Sequence, residues 1–117
     1  MAKREYRLNA GFDETLGKIH DAVMQKSVSA SFEDGSDFSC GDVRCAVRVY
    51  ERYSFFGSNR VSMNVTVFGR DGDVSVSAVT SGGSQAMFLK VNTAGEAAFL
   101  ETLTGVLDRF EDENARY

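Results

Sequence analysis

Alternation of apolar and polar residues with a period of two is the feature that most constrains how this chain folds. It runs through residues 43–54, 61–68 and 74–79, and turn-forming residues separate the three runs. A period of two places successive side chains on opposite faces of a β-strand. The pair Asp71-Gly72, between the last two runs, is a strong signal for a tight hairpin. The sequence therefore predicts neighbouring antiparallel strands.

Two segments with helical periodicity flank these strands. In the first, one stripe of a helix that ends near Lys26 carries Phe12, Leu16, Ile19 and Val23. In the second, Thr93 and Glu96 fit a capping box that opens a helix. The apolar stripe of that second helix consists of Phe99, Leu100, Leu103, Val106, Leu107 and Phe110. Two such amphipathic helices are able to cover one face of a sheet.

Four further segments have weaker patterns. Residues 5–10 alternate and predict a first short strand, and residues 28–32 alternate after the first helix. The sequence EDGSDF, residues 33–38, is rich in turn-forming residues and predicts a turn. The apolar sequence AMFLKV, residues 86–91, is either a further strand or a lead into the last helix.

The predicted fold is a two-layer α+β domain that spans residues 1–117. An antiparallel sheet of about five or six strands carries two helices on one face, in the order β-α-β-β-β-β-(β)-α. A chain of 117 residues has the usual size of one domain. The order of elements is similar to that of TATA-binding-like and helix-grip folds, which is a likeness of fold alone.

Composition and cysteine usage indicate a cytoplasmic protein without a metal or a cofactor. Apolar runs stay short of the roughly 18 residues that span a bilayer, and the start of the sequence lacks the apolar block of a secretory signal. Cys40, Cys45 and the single histidine give no zinc-type spacing. On one extended strand the two cysteines would lie roughly 16 Å apart, too far for a disulfide. We therefore expect reduced thiols and no membrane partner.

A row of arginines is the most unusual feature of the alternating segments. One side of the predicted strand at residues 43–54 carries Val43, Cys45, Val47 and Val49, and the other carries Arg44, Arg48, Tyr50 and Arg52. We expect the valines to face the helices and the arginines to point outward, on an open polar face that Asn64 shares. Guanidinium groups bind carboxylates and phosphates, and tyrosine is common at interfaces. The candidate binding residues of this face are Arg44, Arg48, Tyr50, Arg52 and Asn64.

Three interpretations of this face stay open: a plain solvated surface, an interface with another copy or another protein, and a site for an anionic ligand. The net charge of −4 argues against nucleic acid as the partner, because phosphate neutralisation drives that binding. We favour a non-enzymatic protein that self-associates as a dimer, or binds a protein partner, through this face. The alternative is a small-molecule or anionic-ligand binding protein with a cavity between sheet and helices.

Other polar residues have weaker signals, and none is predicted to be catalytic. The segment SGGSQ is a glycine turn or an anion-binding loop, with candidate contacts Gly82, Gly83, Ser84 and Gln85. Glu51 falls on the apolar side of its strand. Either the strand leaves the core there, or a bulge changes the alternation, or the carboxylate lies at the mouth of a cavity, paired with Arg60. His20 lies at the edge of the first helix, and no nucleophile pattern accompanies it.

Three stretches carry a resemblance to a known family: GDVRCAVRVYERYS, NRVSMNVT and VTSGGSQA. Together they resemble a family of small, uncharacterised bacterial proteins, and the resemblance covers nearly the whole chain. It implies a bacterial, cytoplasmic protein. It brings no assigned catalytic or binding residues.

Overall fold

The described residues form a five-stranded antiparallel sheet with two helices packed on one face. The computed structural model describes residues 1–27, 29–53, 60–82 and 89–113, excepting the side chains of residues 89–95 and 113. In chain order the elements are β1 (Ala2–Leu8), α1 (Phe12–Lys26), β2 (Ser31–Cys40), β3 (Val43–Tyr53), β4 (Arg60–Arg70), β5 (Asp73–Gly82) and α2 (Leu89–Glu113). This order, β-α-β-β-β-β-α, confirms the predicted α+β fold.

The strands lie in the order β1-β5-β4-β3-β2 across the sheet. Strands β2 to β5 form a meander of sequential pairs, whereas β1 pairs with β5, with Ala2 opposite Thr80. The predicted hairpin at Asp71-Gly72 is confirmed, and Gly72 has a φ of 89°, which favours glycine. The first strand begins three residues before the predicted position, because its pairing with β5 extends to Ala2.

The core lies between the helices and the sheet. One face of β4 and β5 is buried against the helices through Val61, Met63, Val65, Val67, Val74, Val76, Ala78 and Thr80. The helices contribute Phe12, Ile19, Val23, Phe99, Leu103 and Leu107, so both predicted helical stripes are confirmed. Each fully buried side chain of this kind stabilises the fold by roughly 1.5–3 kcal/mol relative to its exposed state.

The helices cover the sheet unevenly. Helix α2 packs on β1, β5 and β4, and α1 packs on β4 and on α2. Strand β2 lies at the far edge, and nine of its ten residues are exposed. Strand β3 therefore lies where the helix layer ends.

Residues 33–38 were predicted as a turn, and this prediction is wrong, because they form the middle of β2. The strand pairs with β3 along nearly its whole length, with a bulge between Phe32 and Asp34. The chain reverses later, at Gly41-Asp42, where Gly41 has a φ of 62°. An edge strand that meets water on both faces tolerates turn-forming polar residues, so composition alone was misleading.

The start of the last helix also differs from the prediction. Helix α2 begins at Leu89, so residues 89–91 are helical rather than part of a sixth strand, and residues 86–88 lie outside the described residues. Thr93 lies inside the helix and does not cap it. Glu96, the other half of the predicted capping box, instead accepts a 2.7 Å hydrogen bond from the backbone N–H of Gly82. A short apolar run does not distinguish strand from helix, and here the helix forms.

Candidate functional site

The arginine row lies on the face of the sheet that carries the helices, which we call the helix side. Arg48 is opposite Val65 and Arg52 is opposite Val61, and both valines are fully buried under the helices. Residues directly opposite each other in a sheet point to the same face. The prediction that the arginines face outward is therefore wrong. The physical reason is that long side chains fit where the helix layer ends, because their heads reach past it to water.

Arg44 connects β3 to the first turn of α1. Its guanidinium lies 4.2 Å from the centre of the Phe12 ring. It also forms a 3.0 Å ion pair with Asp13. These contacts occupy both the flat face and one edge of the guanidinium.

Arg48 connects β3 to the edge strand. Its Nη2 forms a 3.0 Å bond with Asp37, while its Nη1 donates to the carbonyl oxygens of Val47 at 3.0 Å and Ser36 at 3.3 Å. The side chain reaches them by crossing Gly35, where a Cβ atom would lie 3.0 Å from Nη1 and 2.7 Å from the Val47 carbonyl oxygen. Glycine is therefore required at this point of β2.

Arg52 lies against α2. Its guanidinium is 4.9 Å from the centre of the Phe99 ring, and Nη1 donates to Ser27 Oγ at 3.4 Å. Burial lowers the pKa of this arginine. The three arginines thus each contact a different element, and the row joins the parts of the fold around β3. Its role in binding stays a prediction.

Tyr50, in the same row, is fully buried at the end of the helix layer. Its hydroxyl lies 3.1 Å from Nδ1 of His20, so the helix-edge histidine is hydrogen-bonded to the sheet. The rings of Tyr50, His20 and Phe32 pack together with centroid separations of 5.7–6.1 Å. Burial raises the pKa of Tyr50 to about 12, because its charged form would lose its hydration.

A groove runs along this boundary between α1 and β2, with β3 as its floor. We call it the α1 groove, and its volume is about 620 Å³. The residues that define it are Leu16 and His20 of α1, Phe32, Asp34 and Asp37 of β2, and Tyr50 of β3. The predicted cavity was between sheet and helices, whereas this groove lies beside the helix layer.

The opposite face of the sheet, which we call the open face, is partly apolar. It carries the half-buried Val43, Cys45, Val47 and Val49, which were expected in the core. Phe38, Cys45 and Phe68 are directly opposite one another on β2, β3 and β4 and form an apolar row. Phe38 is 66% exposed and Phe68 53%. Asn64 is opposite Val49, so it lies on this face, away from the arginines with which it was grouped.

Polar side chains surround the apolar row. Small ones on β4 and β5 are Ser62, Thr66, Ser75 and Ser77. The charged ones are balanced, with the bases Lys3, Arg7, Arg60 and Arg70 and the acids Glu5, Glu33, Glu51 and Asp73. The predicted open polar face is thus a mixed apolar and polar face, with different residues from those expected.

Glu51 pairs with Arg60, which was one of the alternatives for this residue. Arg60 Nη2 lies 2.5 Å from Glu51 Oε1 and 3.6 Å from Glu33 Oε2. The pair is on the open face, because Glu51 shares the side of β3 that carries the valines. It therefore does not lie at the mouth of a cavity under the helices.

The two cysteines are closer than one extended strand would place them. Cys40 is on β2 opposite Val43, and Cys45 is on β3 opposite Phe38, so they are diagonal neighbours on the open face. The expected separation of roughly 16 Å is wrong because the chain reverses between them. Both thiols are free.

The glycine segment is only partly described. Gly82 ends β5, whereas Gly83, Ser84 and Gln85 lie outside the described residues, so anion binding there stays a prediction. Within the described ranges, no three His, Cys, Asp or Glu side chains are grouped to hold a metal ion. Neither described helix combines the length and apolarity needed to cross a membrane.

The fold and its surfaces define a two-layer α+β protein with one open sheet face and a lateral groove. The chain belongs to DUF6054, a family of unknown function, whose sequence model matches residues 1–111. No curated protein and no solved structure matches the chain.

Proposed function

We propose that this protein is a non-enzymatic, cytoplasmic bacterial protein that self-associates as a dimer through its open face. The observation that carries the proposal is the apolar row of Phe38, Cys45 and Phe68, which lies next to three half-buried valines and is exposed in the single chain. Contiguous exposed apolar surface of this kind marks interaction sites in many proteins.

The composition of the open face fits an interface. Interfaces combine an apolar centre with a polar rim, and aromatic residues are enriched at the centre. Here Phe38 and Phe68 flank Cys45, and serine, threonine and charged side chains lie around them. A second copy would remove the two phenylalanine rings from water.

The area of the open face is also sufficient for a protein interface. Five strands at about 4.8 Å spacing and ten residues at about 3.3 Å give a face of about 24 by 33 Å, or roughly 800 Å². A stable interface of standard size buries about 800 Å² on each partner. The face is therefore large enough for a dimer without help from other surfaces.

The charges favour a second copy over a strongly charged partner. Four bases and four acids are spread over the face, so it attracts neither a polyanion nor a polycation. A two-fold axis brings different parts of one surface together. Basic Arg60 and Arg70 on β4 are then able to meet acidic side chains of the other copy.

The test is the solution mass of three proteins by light scattering. We expect the wild type to have twice the 12.8 kDa mass of one chain, and Phe68→Ser to be a folded monomer. The matched control is Phe32→Ser, which removes a ring that is 46% exposed on the helix side and should leave the dimer intact. Circular dichroism verifies folding. A monomeric wild type, or a Phe68→Ser variant with the wild-type mass, would contradict the proposal.

Small-molecule binding is the second candidate function. The α1 groove favours it, because a volume of about 620 Å³ lies within the roughly 300–1,000 Å³ of ligand pockets.

A further inference from the structure

The α1 groove has the chemistry of a site for a positively charged ligand. We infer that it binds a small organic amine with an aromatic ring, of the arylalkylamine class. The inference rests on the second candidate function, and it does not depend on self-association, because the groove and the open face are on opposite sides of the sheet.

The floor of the groove is aromatic. The buried ring of Tyr50 packs against Phe32, which is 46% exposed, and against the exposed His20. The exposed surface is that of the Phe32 and His20 rings, with Tyr50 packed behind them. An exposed ring attracts another ring through stacking, and the Phe32 ring attracts an ammonium group through its charge distribution. A flat apolar body with a cationic end therefore suits this floor.

The rim of the groove has an excess of negative charge. Three carboxylates line it, Asp13, Asp34 and Asp37, against the single guanidinium of Arg48. Asp13 and Asp37 are each paired with an arginine at 3.0 Å. The Asp34 carboxylate receives one described hydrogen bond, from the backbone N–H of Gly35 at 2.7 Å. Asp34 is thus the carboxylate with capacity for an ammonium group.

An anionic ligand is disfavoured at the same place. The two terminal nitrogens of Arg48 are already bonded to Asp37 and to two carbonyl oxygens. An incoming carboxylate would have to displace Asp37 and would meet the other acids of the rim. The sign of the charge is therefore the specific part of the inference, and it is opposite to that of the anionic ligand that was one of the three interpretations of the arginine row.

A substitution at Gly17 should block the α1 groove and keep the fold. Gly17 lines the groove from α1, and a Cβ atom built on it meets nothing within 4 Å. Leucine at this position projects into the groove, and it favours the helix because glycine costs about 1 kcal/mol in a helix interior. Gly17→Leu should therefore fill the site without unfolding the protein.

The experiment is titration of ¹⁵N-labelled protein with two probes that share a ring and differ in charge, phenethylamine and phenylacetate. We expect millimolar phenethylamine to shift amide signals of α1, β2 and β3 around the groove, and phenylacetate to shift none of them. Gly17→Leu should abolish the shifts. Asp34→Asn should weaken binding about two- to fivefold, the size of an exposed ion pair.

Three results would overturn the inference: no shifts with phenethylamine, equal binding of phenylacetate, or unchanged affinity in Gly17→Leu. The Phe68→Ser variant separates the two proposals. It should bind phenethylamine like the wild type even if it has lost the dimer, since Phe68 is on the open face.

Discussion

Strands β3 and β4 are neighbours with the same alternating pattern, yet they face the helices in opposite ways. In β4 the valines point to the helices and are fully buried, whereas in β3 the valines point to the open face. In β3 the helix side is taken by arginines, Ala46 and Tyr50. The comparison teaches that alternation divides a strand into two faces, while the position of the strand in the sheet decides which face is covered.

The largest expected effect comes from truncating one valine on each strand. Val65→Ala removes buried methyl groups and should lower the free energy of unfolding by about 2–3 kcal/mol. Val47→Ala, on the half-buried open face of β3, should cost about 0.5–1 kcal/mol in dilute solution. Urea unfolding measures both. Equal losses would mean that the two faces are not covered differently.

The second prediction concerns alkaline pH and Tyr50, the tyrosine of β3 on the helix side. Its pKa is about 12 in the folded protein, against 10.0 for a free tyrosine. As pH rises above 10, the hydroxyl of Tyr50 therefore loses its proton at a lower pH in the unfolded chain than in the folded protein. The contribution of Tyr50 to the free energy of unfolding is fully present below pH 10 and is lost as pH rises through 12. The loss from this group is roughly 3 kcal/mol.

Tyr50→Phe should make the stability less dependent on pH in that window, although it costs about 1 kcal/mol at neutral pH through the lost bond to His20. Tyr6 contributes in the same direction, because burial raises its pKa as well. Urea midpoints between pH 9 and about 12 measure the effect. Tyr53→Phe is the matched control, an exposed tyrosine of the same strand. Identical pH profiles for wild type and Tyr50→Phe would show that Tyr50 is not buried as described.

The smallest predicted effect is local to the edge strand. Arg48→Met keeps the apolar stem and removes the bonds to Asp37 and to the carbonyl of Ser36. Amide hydrogens of β2 should then exchange about fivefold faster, which corresponds to about 1 kcal/mol. Amides of β5 should not change, because local openings involve only part of a structure.

Arg70→Met is the control for that experiment, since Arg70 is an exposed arginine of β4 with a 3.5 Å contact to Asp42. Faster exchange throughout the sheet in Arg48→Met would show that the arginine supports the whole fold rather than the edge strand.

Local patterns predicted much of the fold. The Asp71-Gly72 turn and the two apolar helical stripes depend on residues close in sequence, and the structure confirms them. The set Arg44, Arg48, Tyr50 and Arg52 does share one face, as alternation requires. These features need no knowledge of distant parts of the chain.

Features that depend on distant contacts were not predicted. Residues 33–38 look like a turn because Asp, Gly and Ser dominate them, and only the pairing with β3 makes them a strand. The side of β3 that meets the helices depends on where α1 and α2 end above the sheet. A signal for the open face was present in Phe38 and Phe68, since two phenylalanines among polar residues indicate an apolar patch on an otherwise polar surface.

The order of strands has a consequence for how the chain folds. Strands β2 to β5 connect sequential neighbours, so their pairing closes only short loops. Strand β1 must instead find β5, with Ala2 opposite Thr80. Long loops are slow to close because more chain entropy is lost before a contact forms. We therefore expect the meander to form first, with β1 added late, so that variants in β1 accelerate unfolding more than they slow folding.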